Sequence, residues 1–401
     1  MSLTKDQVDI IKATVPVLET RGEEITKYFY SKMLSENPDV SNFFNKTHQA
    51  SFAQPRALAH SLLAYAHNID NLDALSGLVE RVAQKHCSLM VQPEHYPIVG
   101  KYLLIALSDV LGKDVATEAV LEAWGAAYQA LANILIEAEA LVYESSEKAD
   151  GGWRGYRDFR VAFRGSEGKD VTSFYLKPVD GKPIAHPEAG QYLGFRFVLD
   201  SGAVFCRQYS ISSVVEDDEP MYRVTVKRMP GGIISKHWHD RIHVGDVVKI
   251  TPPCGDLVLD EKDTDSDLVM LCAGIGVTPL ISMTQQALAN GRNVEFVQAD
   301  RYYNQRPFGR FLDKLGEKYP NFKYHGFFSD GSAEEKLPET STRSRITPEA
   351  LTKILDEHKG KNTSVYMVGP PNFMRDMKKT IEGLNRPELT LHYEFFGPFL
   401  D

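Results

Sequence analysis

The spacing of apolar residues divides the chain into three parts. Up to about residue 147, apolar residues recur every three or four positions, as Val8 and Ile11 do near the start and Leu103 and Leu107 do later. This is the period of an amphipathic helix, and strand-like alternation is hard to find here. The pattern predicts an all-α domain over 1–147.

A polar, Gly-rich hinge at 148–152 ends this pattern. Short segments of β-type composition follow at 158–163, 171–178, 192–199, 222–227 and 247–251. Clusters of Gly, Pro and Asp separate them, as is typical of a barrel or a sandwich. We expect an antiparallel β-barrel over 152–262.

The third part alternates between strands and helices. Apolar strands are predicted at 268–272, 294–298 and 364–368, and helices at 280–290, 308–318 and 371–384. Such alternation favours a parallel sheet with covered faces, and we expect an α/β domain over 266–401. The polar segment 330–345 is predicted to be a surface loop.

Composition narrows the class of protein. The 401 residues are 43% hydrophobic and 25% charged, which is ordinary for a globular protein and excludes a disordered or collagenous chain. A net charge of −9 gives no basic footprint for nucleic acid. The four cysteines form no C-x-x-C pair, and we find neither a secretory signal nor an apolar run long enough for a membrane helix. We expect a cytoplasmic protein without nucleic-acid or membrane partners; the oligomeric state stays open, with a monomer favoured.

One histidine in the helical part stands out by its position. His86 shares a helix face with Val79, Val82 and Leu89, so its imidazole is either a haem ligand or a hydrogen-bonded core residue. Other side chains could line the oxygen-binding side of a buried metal, although each alone could equally be ordinary core: Tyr30, Phe44, Gln54 and Leu58.

Specific stretches carry a family resemblance. Residues 1–147 resemble a globin, and the whole chain resembles a flavohaemoglobin. The matching stretches are 28–30, 42–45, 54–58, 84–86, 93–100 and 123–128. The resemblance implies a b-type haem with His86 as the iron ligand. It also implies a distal pocket formed by Tyr30, Gln54 and Leu58, with Phe44 beside them.

The same resemblance implies a proximal triad of His86, Tyr96 and Glu139. A carboxylate and a phenol behind the imidazole would make the iron ligand more basic and favour O₂ activation over storage. Glu137, two residues away, points to another face of the helix. Without the resemblance, Glu139 would be interpreted as a solvated helix charge. Lys85, next to the ligand, is implied to modulate the haem and flavin potentials, as is Phe395.

The middle part contains a flavin motif. On its own, 205–212 resembles an edge strand, but with its neighbours it resembles the flavin-binding barrel of the ferredoxin-reductase family. The implied FAD-binding residues are Tyr192, Arg207, Gln208, Tyr209, Ser210, Gly231, Gly232 and Ser235. Arg207 offers a fork of donors to a phosphate, and the glycines precede a predicted helix. A nearby group lacks the carboxylate or cysteine pattern of a metal site, and we interpret it as surface or interface: His237, Trp238, His239 and His243.

A glycine turn between a strand and a helix marks the nucleotide site. The spacing is G-x-G-x-x-P rather than the standard dinucleotide fingerprint, but it resembles the ferredoxin-reductase form and implies NAD(P)H binding. Its residues are Gly274, Ile275, Gly276, Val277, Thr278 and Pro279. In the second motif, 365–374, Val368 replaces the cysteine of many relatives. For the ribose, Arg301 or Arg306 could bind a 2′-phosphate, whereas Asp300 or Glu295 could accept hydrogen bonds from a free hydroxyl.

The C-terminal segment allows two interpretations. Phe395, Phe396, Gly397 and Pro398 could cover the flavin, as the resemblance implies, or the segment could be a strand docked in the core.

The order of the three parts implies an electron path from nicotinamide to FAD to haem. Together with the resemblance to flavohaemoglobins, this path implies a nitric oxide dioxygenase, which converts NO and O₂ to nitrate with electrons from NAD(P)H and with Tyr30 and Gln54 as hydrogen-bond donors to the oxygen ligand. The alternatives are an oxygen-binding or sensing globin with an attached reductase, and a flavin reductase with a vestigial globin.

Overall fold

The fold has three parts in chain order, as the apolar pattern predicts. The computed structural model describes residues 3–44, 52–216, 218–330 and 336–397. A helical part comes first, an antiparallel barrel second, and a parallel sheet with helices third. The expected fold class is confirmed.

The helical part packs around one hydrophobic core. Its helices are α1 (Lys5–Ala13), α2 (Val15–Glu36), α3 (Pro38–Ser41), α4 (Ala53–His67), α5 (Ser76–Leu89), α6 (Tyr96–Leu111) and α7 (Glu118–Lys148). Among the described residues, α7 is long and apolar enough to cross a membrane by length and composition. Its Trp124 and Ala127 are buried in the core shared with α2 and α6.

The second part is a six-stranded sheet in the order β4-β3-β6-β1-β2-β5. The strands are β1 (Arg157–Gly168), β2 (Val171–Pro178), β3 (Tyr192–Val198), β4 (Val204–Ser210), β5 (Tyr222–Lys227) and β6 (Val247–Cys254), and α8 (Ile233–Arg241) follows β5. All pairings are antiparallel. A bridge between Ile211 and Val224 joins the end of β4 to β5, and this contact closes the barrel.

Trp238 corrects one interpretation. Its side chain is 0% exposed and packs in the barrel core, with its ring centroid 4.5 Å from that of Phe174. It is therefore neither a surface nor an interface residue; with Ile234 it forms the apolar face that anchors α8 to the barrel. Within the described residues, no group of three or more His, Cys, Asp or Glu side chains is placed to hold a metal ion.

The third part is a parallel sheet in the order β10-β9-β8-β7-β11-β12. Its elements are β7 (Asp267–Ala273), α9 (Val277–Ala289), β8 (Val294–Asp300), α10 (Gly309–Lys318), β9 (Phe322–Phe328), β10 (Ser341–Thr342), α11 (Pro348–Asp356), β11 (Thr363–Val368), α12 (Pro371–Gly383) and β12 (Leu389–Glu394). Strand order reverses between β7 and β11, and the carboxyl ends of the strands at such a switch point form the usual ligand crevice.

One expectation for this part needs correction. The segment 330–345 is not all loop, because Ser341–Thr342 pairs with Gly326 and Phe327 of β9; residues 331–335 lie outside the described part of the chain. The C-terminal segment includes a strand, β12, parallel to β11, as one of its two interpretations predicts.

Candidate functional site

The proximal side of the helical part is a hydrogen-bonded triad. Nδ1 of His86, late in α5, donates to Oε1 of Glu139 on α7 over 2.7 Å and lies 3.2 Å from the Tyr96 hydroxyl at the start of α6. That hydroxyl donates to the same carboxylate oxygen. Glu139 is 2% exposed, whereas Glu137 is exposed. The structure therefore brings together the three predicted residues.

This triad sets the tautomer of the imidazole. With its proton on Nδ1, His86 keeps a lone pair on Nε2, the form in which histidine binds a metal. Nε2 has no hydrogen bond to any residue that the structure describes, although the side chain is only 32% exposed. A buried carboxylate is costly unless it is hydrogen-bonded, so Glu139 depends on its two donors. The donor set fits a haem iron held by one protein ligand.

Packing explains why Tyr96 lies where it does. Tyr128 on α7 donates to the Tyr96 backbone carbonyl over 2.7 Å. A Cβ on Gly100 would lie 2.6 Å from the Tyr128 ring, so the glycine makes room for that ring. Burial, together with the hydrogen bond to Glu139, raises the pKa of Tyr96, and the phenol stays a protonated donor.

The predicted distal residues also lie together. The Tyr30 hydroxyl is hydrogen-bonded to Gln54, and its ring meets the Phe44 ring edge to face at 5.4 Å. Leu58 packs against the same hydrophobic core. Burial raises the pKa of Tyr30, with the Gln54 hydrogen bond opposing, so Tyr30 is a neutral phenol able to donate to a ligand.

Helix α5 also docks on the barrel. The Gln208 amide donates to Ser88 Oγ over 3.1 Å, and the Gly255 backbone N–H donates to Gln84 Oε1 over 3.0 Å. Lys85 Nζ lies 5.3 Å above the centre of the buried Tyr192 ring. The helix that carries His86 therefore contacts two of the predicted flavin residues directly.

The closest approach in this interface is between two backbones. A Cβ on Gly194 of β3 would lie 2.9 Å from the Ser88 carbonyl carbon, closer still to the carbonyl oxygen, and 2.9 Å from Thr251 Oγ1. Only glycine fits there. No local sequence pattern marks Ser88 or Gly194, since this contact depends on how two distant parts of the chain dock.

Glu394 is a further residue of this region that no sequence motif predicts. It ends β12, and its charge acts on Lys85: burial lowers the pKa of Lys85, while Glu394 opposes the shift. Burial raises the pKa of Glu394 to about 7, with Lys85 opposing. A titratable carboxyl group therefore lies near Lys85, which faces the barrel from α5. Its signal in the sequence was its place between the aromatic residues of the terminal segment.

The barrel residues of the flavin motif lie on adjacent strands. Ser210 at the end of β4 pairs with Tyr192 at the start of β3, while Tyr209 packs edge to face on Trp238. Burial lowers the pKa of the Arg207 guanidinium, a penalty that a bound phosphate would offset. The motif therefore lies on β4, the first strand in the sheet order, and its side chains are chemically suited to a flavin, a role that stays a prediction.

The predicted phosphate cradle of the barrel has the expected local structure. Gly231 has a φ of +71°, and Gly232 is the N-cap of α8. Ser235 Oγ accepts from the Met229 backbone N–H over 3.1 Å, which orders the turn before the helix. Helix N-termini of this kind bind pyrophosphate.

The nucleotide turn divides into exposed and buried residues. Gly274, with a φ of +55°, and Ile275 are accessible at the carboxyl end of β7. A Cβ on Gly276 would lie 2.6 Å from the Val368 carbonyl carbon, so glycine is needed for α9 to approach β11. The side chains of Val277, Thr278 and Pro279 are buried, so their contribution to a nucleotide site is through the backbone.

The C-terminal residues follow β12. Phe395 packs edge to face on Tyr393 at 6.2 Å, and Phe396 is exposed. Gly397 is described, whereas Pro398 lies outside the described residues. Their role over a flavin stays a prediction, as do the roles of the other site residues.

These features define a class of protein: an oxidoreductase in which a globin precedes a reductase of the flavin and nicotinamide type. Family models match in the same order, with Globin over 27–135, Oxidoreductase FAD-binding domain over 159–259 and Oxidoreductase NAD-binding domain over 270–379. The domain boundaries proposed above stay a prediction.

Relatives cover nearly the whole chain. A Flavohemoprotein of Pseudomonas aeruginosa is 44% identical over 99% of this chain and 98% of the relative, and one of Schizosaccharomyces pombe is 39% identical over 99% and 93%. The crystal structure of a flavohemoglobin from Malassezia yamatoensis with bound FAD and haem has a TM-score of 0.84 and 29% identity, over 99% of this chain and 100% of that one. The chain belongs to the flavohemoprotein family, and its cofactors are haem, FAD and a nicotinamide nucleotide.

Proposed function

We propose that the protein is a nitric oxide dioxygenase, which converts NO and O₂ to nitrate with electrons from NAD(P)H. The observation that carries this proposal is the buried Glu139 carboxylate, which accepts hydrogen bonds from both His86 and Tyr96. A storage globin has no need of an anionic group behind its iron ligand. An enzyme that activates O₂ gains from it, because it increases the electron density that the imidazole donates.

The haem, when bound, supplies the one-electron centre at which NO and O₂ combine. The chain's own residues do the rest: His86 would hold the iron through Nε2, and Glu139 fixes the proton on Nδ1. The Tyr30 hydroxyl would donate a hydrogen bond to a bound ligand, while Gln54 orients that hydroxyl. Phe44 and Leu58 keep the surroundings of the hydroxyl apolar, which strengthens its hydrogen bond.

The docking of α5 on the barrel supports electron delivery within one chain. Nicotinamides give electrons in pairs, and a flavin can pass them on singly. Each NAD(P)H therefore supplies the electrons for the formation of two nitrate ions. The α5 residues that meet the barrel, Lys85 and Ser88, flank the iron ligand in sequence. A relative lends further support: a solved reductase from Vibrio cholerae, described as the FAD/NAD binding domain of a nitric oxide dioxygenase, is 27% identical with a TM-score of 0.51 over 60% of this chain.

Rapid mixing tests the proposal. The NAD(P)H-reduced, O₂-equilibrated protein is mixed with NO in a stopped-flow instrument, and nitrate and nucleotide oxidation are assayed. We expect stoichiometric nitrate and catalytic turnover. Slow NO consumption without nucleotide turnover would contradict the dioxygenase and leave an oxygen-binding or sensing globin with a reductase.

A matched pair of variants tests the observation itself. Glu139→Gln removes the carboxylate charge from the imidazole and is expected to slow NO turnover about tenfold to hundredfold, a typical effect of losing such an outer partner. Glu137→Gln makes the same change on the exposed face of α7 and should leave turnover unchanged. Equal rates in the two variants would remove Glu139 from its assigned role.

A further inference from the structure

A buried hydroxyl on α2 lies one helical turn before Tyr30. Thr26 is 0% exposed, and its neighbours on α2, Ile25 and Phe29, belong to the hydrophobic core. Burying a hydroxyl without a hydrogen bond costs free energy, so a threonine rather than a valine at this position requires a partner. The Thr26 Oγ1 lies 2.8 Å from the backbone carbonyl oxygen of Pro55 on α4.

This partner belongs to another helix. In a helix interior, a threonine hydroxyl usually bonds to a carbonyl one turn earlier in the same helix. For Thr26 those carbonyls are farther away, with the Gly22 oxygen at 3.0 Å and the Glu23 oxygen at 3.3 Å. A hydroxyl has a single proton to donate, and the shortest of the three distances favours the Pro55 carbonyl. The hydroxyl of Thr26 therefore joins α2 to α4.

The bond is the middle one of three contacts between these helices. The three α2 residues are spaced four apart and share one face of the helix. The contacts comprise 3.5 Å between the Ala59 Cβ and a Cβ placed on residue 22, the bond from the Thr26 hydroxyl, and the hydrogen bond of the Tyr30 phenol. The pairs, in order along α2, are Gly22 with Ala59, Thr26 with Pro55, and Tyr30 with Gln54. Residue numbers fall along α4 as they rise along α2, so the helices run antiparallel here.

The start of α4 is weakly determined by its own residues. Its N-cap, Phe52, has a φ of +57°, which is uncommon for a residue other than glycine, and it has no side-chain oxygen to accept from the first N–H groups. From α2, the Lys27 Nζ lies 4.9 Å from the centre of the Phe52 ring. Gln54 is in this first turn, so its position depends on contacts with α2 rather than on a cap of its own helix.

We propose that Thr26 is a positioning residue for the distal pair: its hydroxyl fixes the first turn of α4 on α2 and thereby holds Gln54 at the Tyr30 hydroxyl. Because Gln54 and Pro55 are adjacent, a displacement of the Pro55 carbonyl moves Gln54 with it. The inference deepens the proposed function and rests on the roles given there to Tyr30 and Gln54. It concerns the surroundings of a bound gas and not the reaction with NO, so CO and O₂ test it whether or not nitrate is the product.

Infrared spectroscopy of the ferrous CO complex of the full-length holoprotein tests this role, because the C–O stretching band reports hydrogen bonding to the ligand. Thr26→Val removes the hydroxyl and keeps the shape of the side chain. We expect the band to move to higher frequency, as it does when hydrogen-bond donation weakens. O₂ should dissociate about twofold faster, and at most about tenfold, the limit set by the loss of one neutral hydrogen bond. Thr26→Ser keeps the hydroxyl and should restore both values.

Thr20→Val is the matched control. It removes the same hydroxyl from the same helix, but the exposed Thr20 donates within α2, where its Oγ1 lies 3.0 Å from the Pro16 carbonyl oxygen and 3.1 Å from that of Val17. Its C–O band and its O₂ dissociation rate should equal those of the unchanged protein. Thr26→Ala removes the buried hydroxyl with a smaller side chain, so the comparison stands even if one of the two Thr26 variants binds haem poorly.

A double variant separates positioning from a general loss of stability. In a Gln54→Ala background, Thr26→Val should add nothing to the band position or to the O₂ rate, because Thr26 acts through Gln54. A purely structural role would lower the melting temperature of Thr26→Val and leave the band in place. The proposal would be overturned by an unaltered band in Thr26→Val, by an effect that persists in full without Gln54, or by a Thr26→Ser variant that resembles Thr26→Val.

Discussion

The approach of Gly194 to Ser88 predicts that one methyl group will separate the two redox parts of the protein. In Gly194→Ala the new Cβ would lie 2.9 Å from the Ser88 carbonyl carbon, whereas ordinary contacts of this kind are 3.4 to 4 Å. Either α5 or β3 must therefore move by at least about 0.5 Å, and the still closer carbonyl oxygen of Ser88 requires a larger displacement. Overpacking of this kind typically costs about 1–3 kcal/mol, which a folded domain can tolerate.

The displaced helix is the one that carries His86. We expect Gly194→Ala to fold and to bind haem and FAD, because the change lies outside the triad and the barrel core. NAD(P)H should reduce the flavin at the unaltered rate, since the α/β part is untouched. Electron transfer from flavin to haem should slow, because the rate of electron tunnelling falls steeply as the distance between donor and acceptor grows.

Anaerobic stopped-flow spectroscopy separates these steps, because flavin bleaching and haem reduction are followed at different wavelengths. Gly165→Ala is the matched control: it places the same methyl group on β1 of the same barrel, where the nearest atom, at 3.2 Å, belongs to the exposed Phe163 side chain. If Gly194→Ala reduced its haem as fast as Gly165→Ala, close docking of α5 would not control electron transfer.

Two further predictions concern single side chains. Tyr30→Phe removes a donor worth about 0.5–1.5 kcal/mol, so O₂ should dissociate about twofold to tenfold faster in flash photolysis or stopped flow; Tyr102→Phe, which loses a bond to Glu36 elsewhere, should not change the rate. His358 hydrogen-bonds to both Glu295 and Asp267. Lys361 also pairs with Asp267, and His325 pairs with Glu295. The hydrogen bond to Glu295 raises the pKa of His358, and burial opposes this shift. A pKa that is raised in the folded state stabilises the protein at low pH, and this stability is lost as the pH rises through the raised pKa. The free energy of urea unfolding should therefore fall more between about pH 6 and about pH 9 in the unchanged protein than in His358→Gln. Equal losses would mean that the imidazolium does not hold these strands together.

Periodicity predicted the fold well where one face of an element is buried. The helical part follows the three-and-four spacing, and the buried strands β7 and β11 appear as continuous apolar runs. β9 was missed because Lys323, His325 and Gly326 interrupt its apolar residues, so neither alternation nor an apolar run marks it. β12 was only one of two interpretations of the C-terminal segment, because its residues are largely half-buried and mixed in polarity. Trp238 was misplaced because a cluster of histidines around it suggested exposure, whereas its spacing from Ile234 was the better guide.

The candidate site was predictable to the extent that its residues lie in recognisable stretches. His86, Tyr96 and Glu139 were named in advance, and the structure brings them together through two helices and the start of a third. Ser88 and Glu394 were not named because their importance comes from contacts between different parts of the chain. No local pattern records that β3 packs against α5, or that β12 ends near it.

The position of α5 explains why these three parts share one chain. Within five residues the helix presents Gln84, Lys85 and Ser88 to the barrel and His86 to the haem side. A helix turns by about 100° per residue, so neighbouring positions face different partners while remaining rigidly connected. A separate reductase would have to form this contact anew for each electron, whereas the linked barrel meets α5 at a high effective concentration. The backbone contact at Gly194 then fixes the distance between α5 and the barrel. The side chains around this contact set only the local charge.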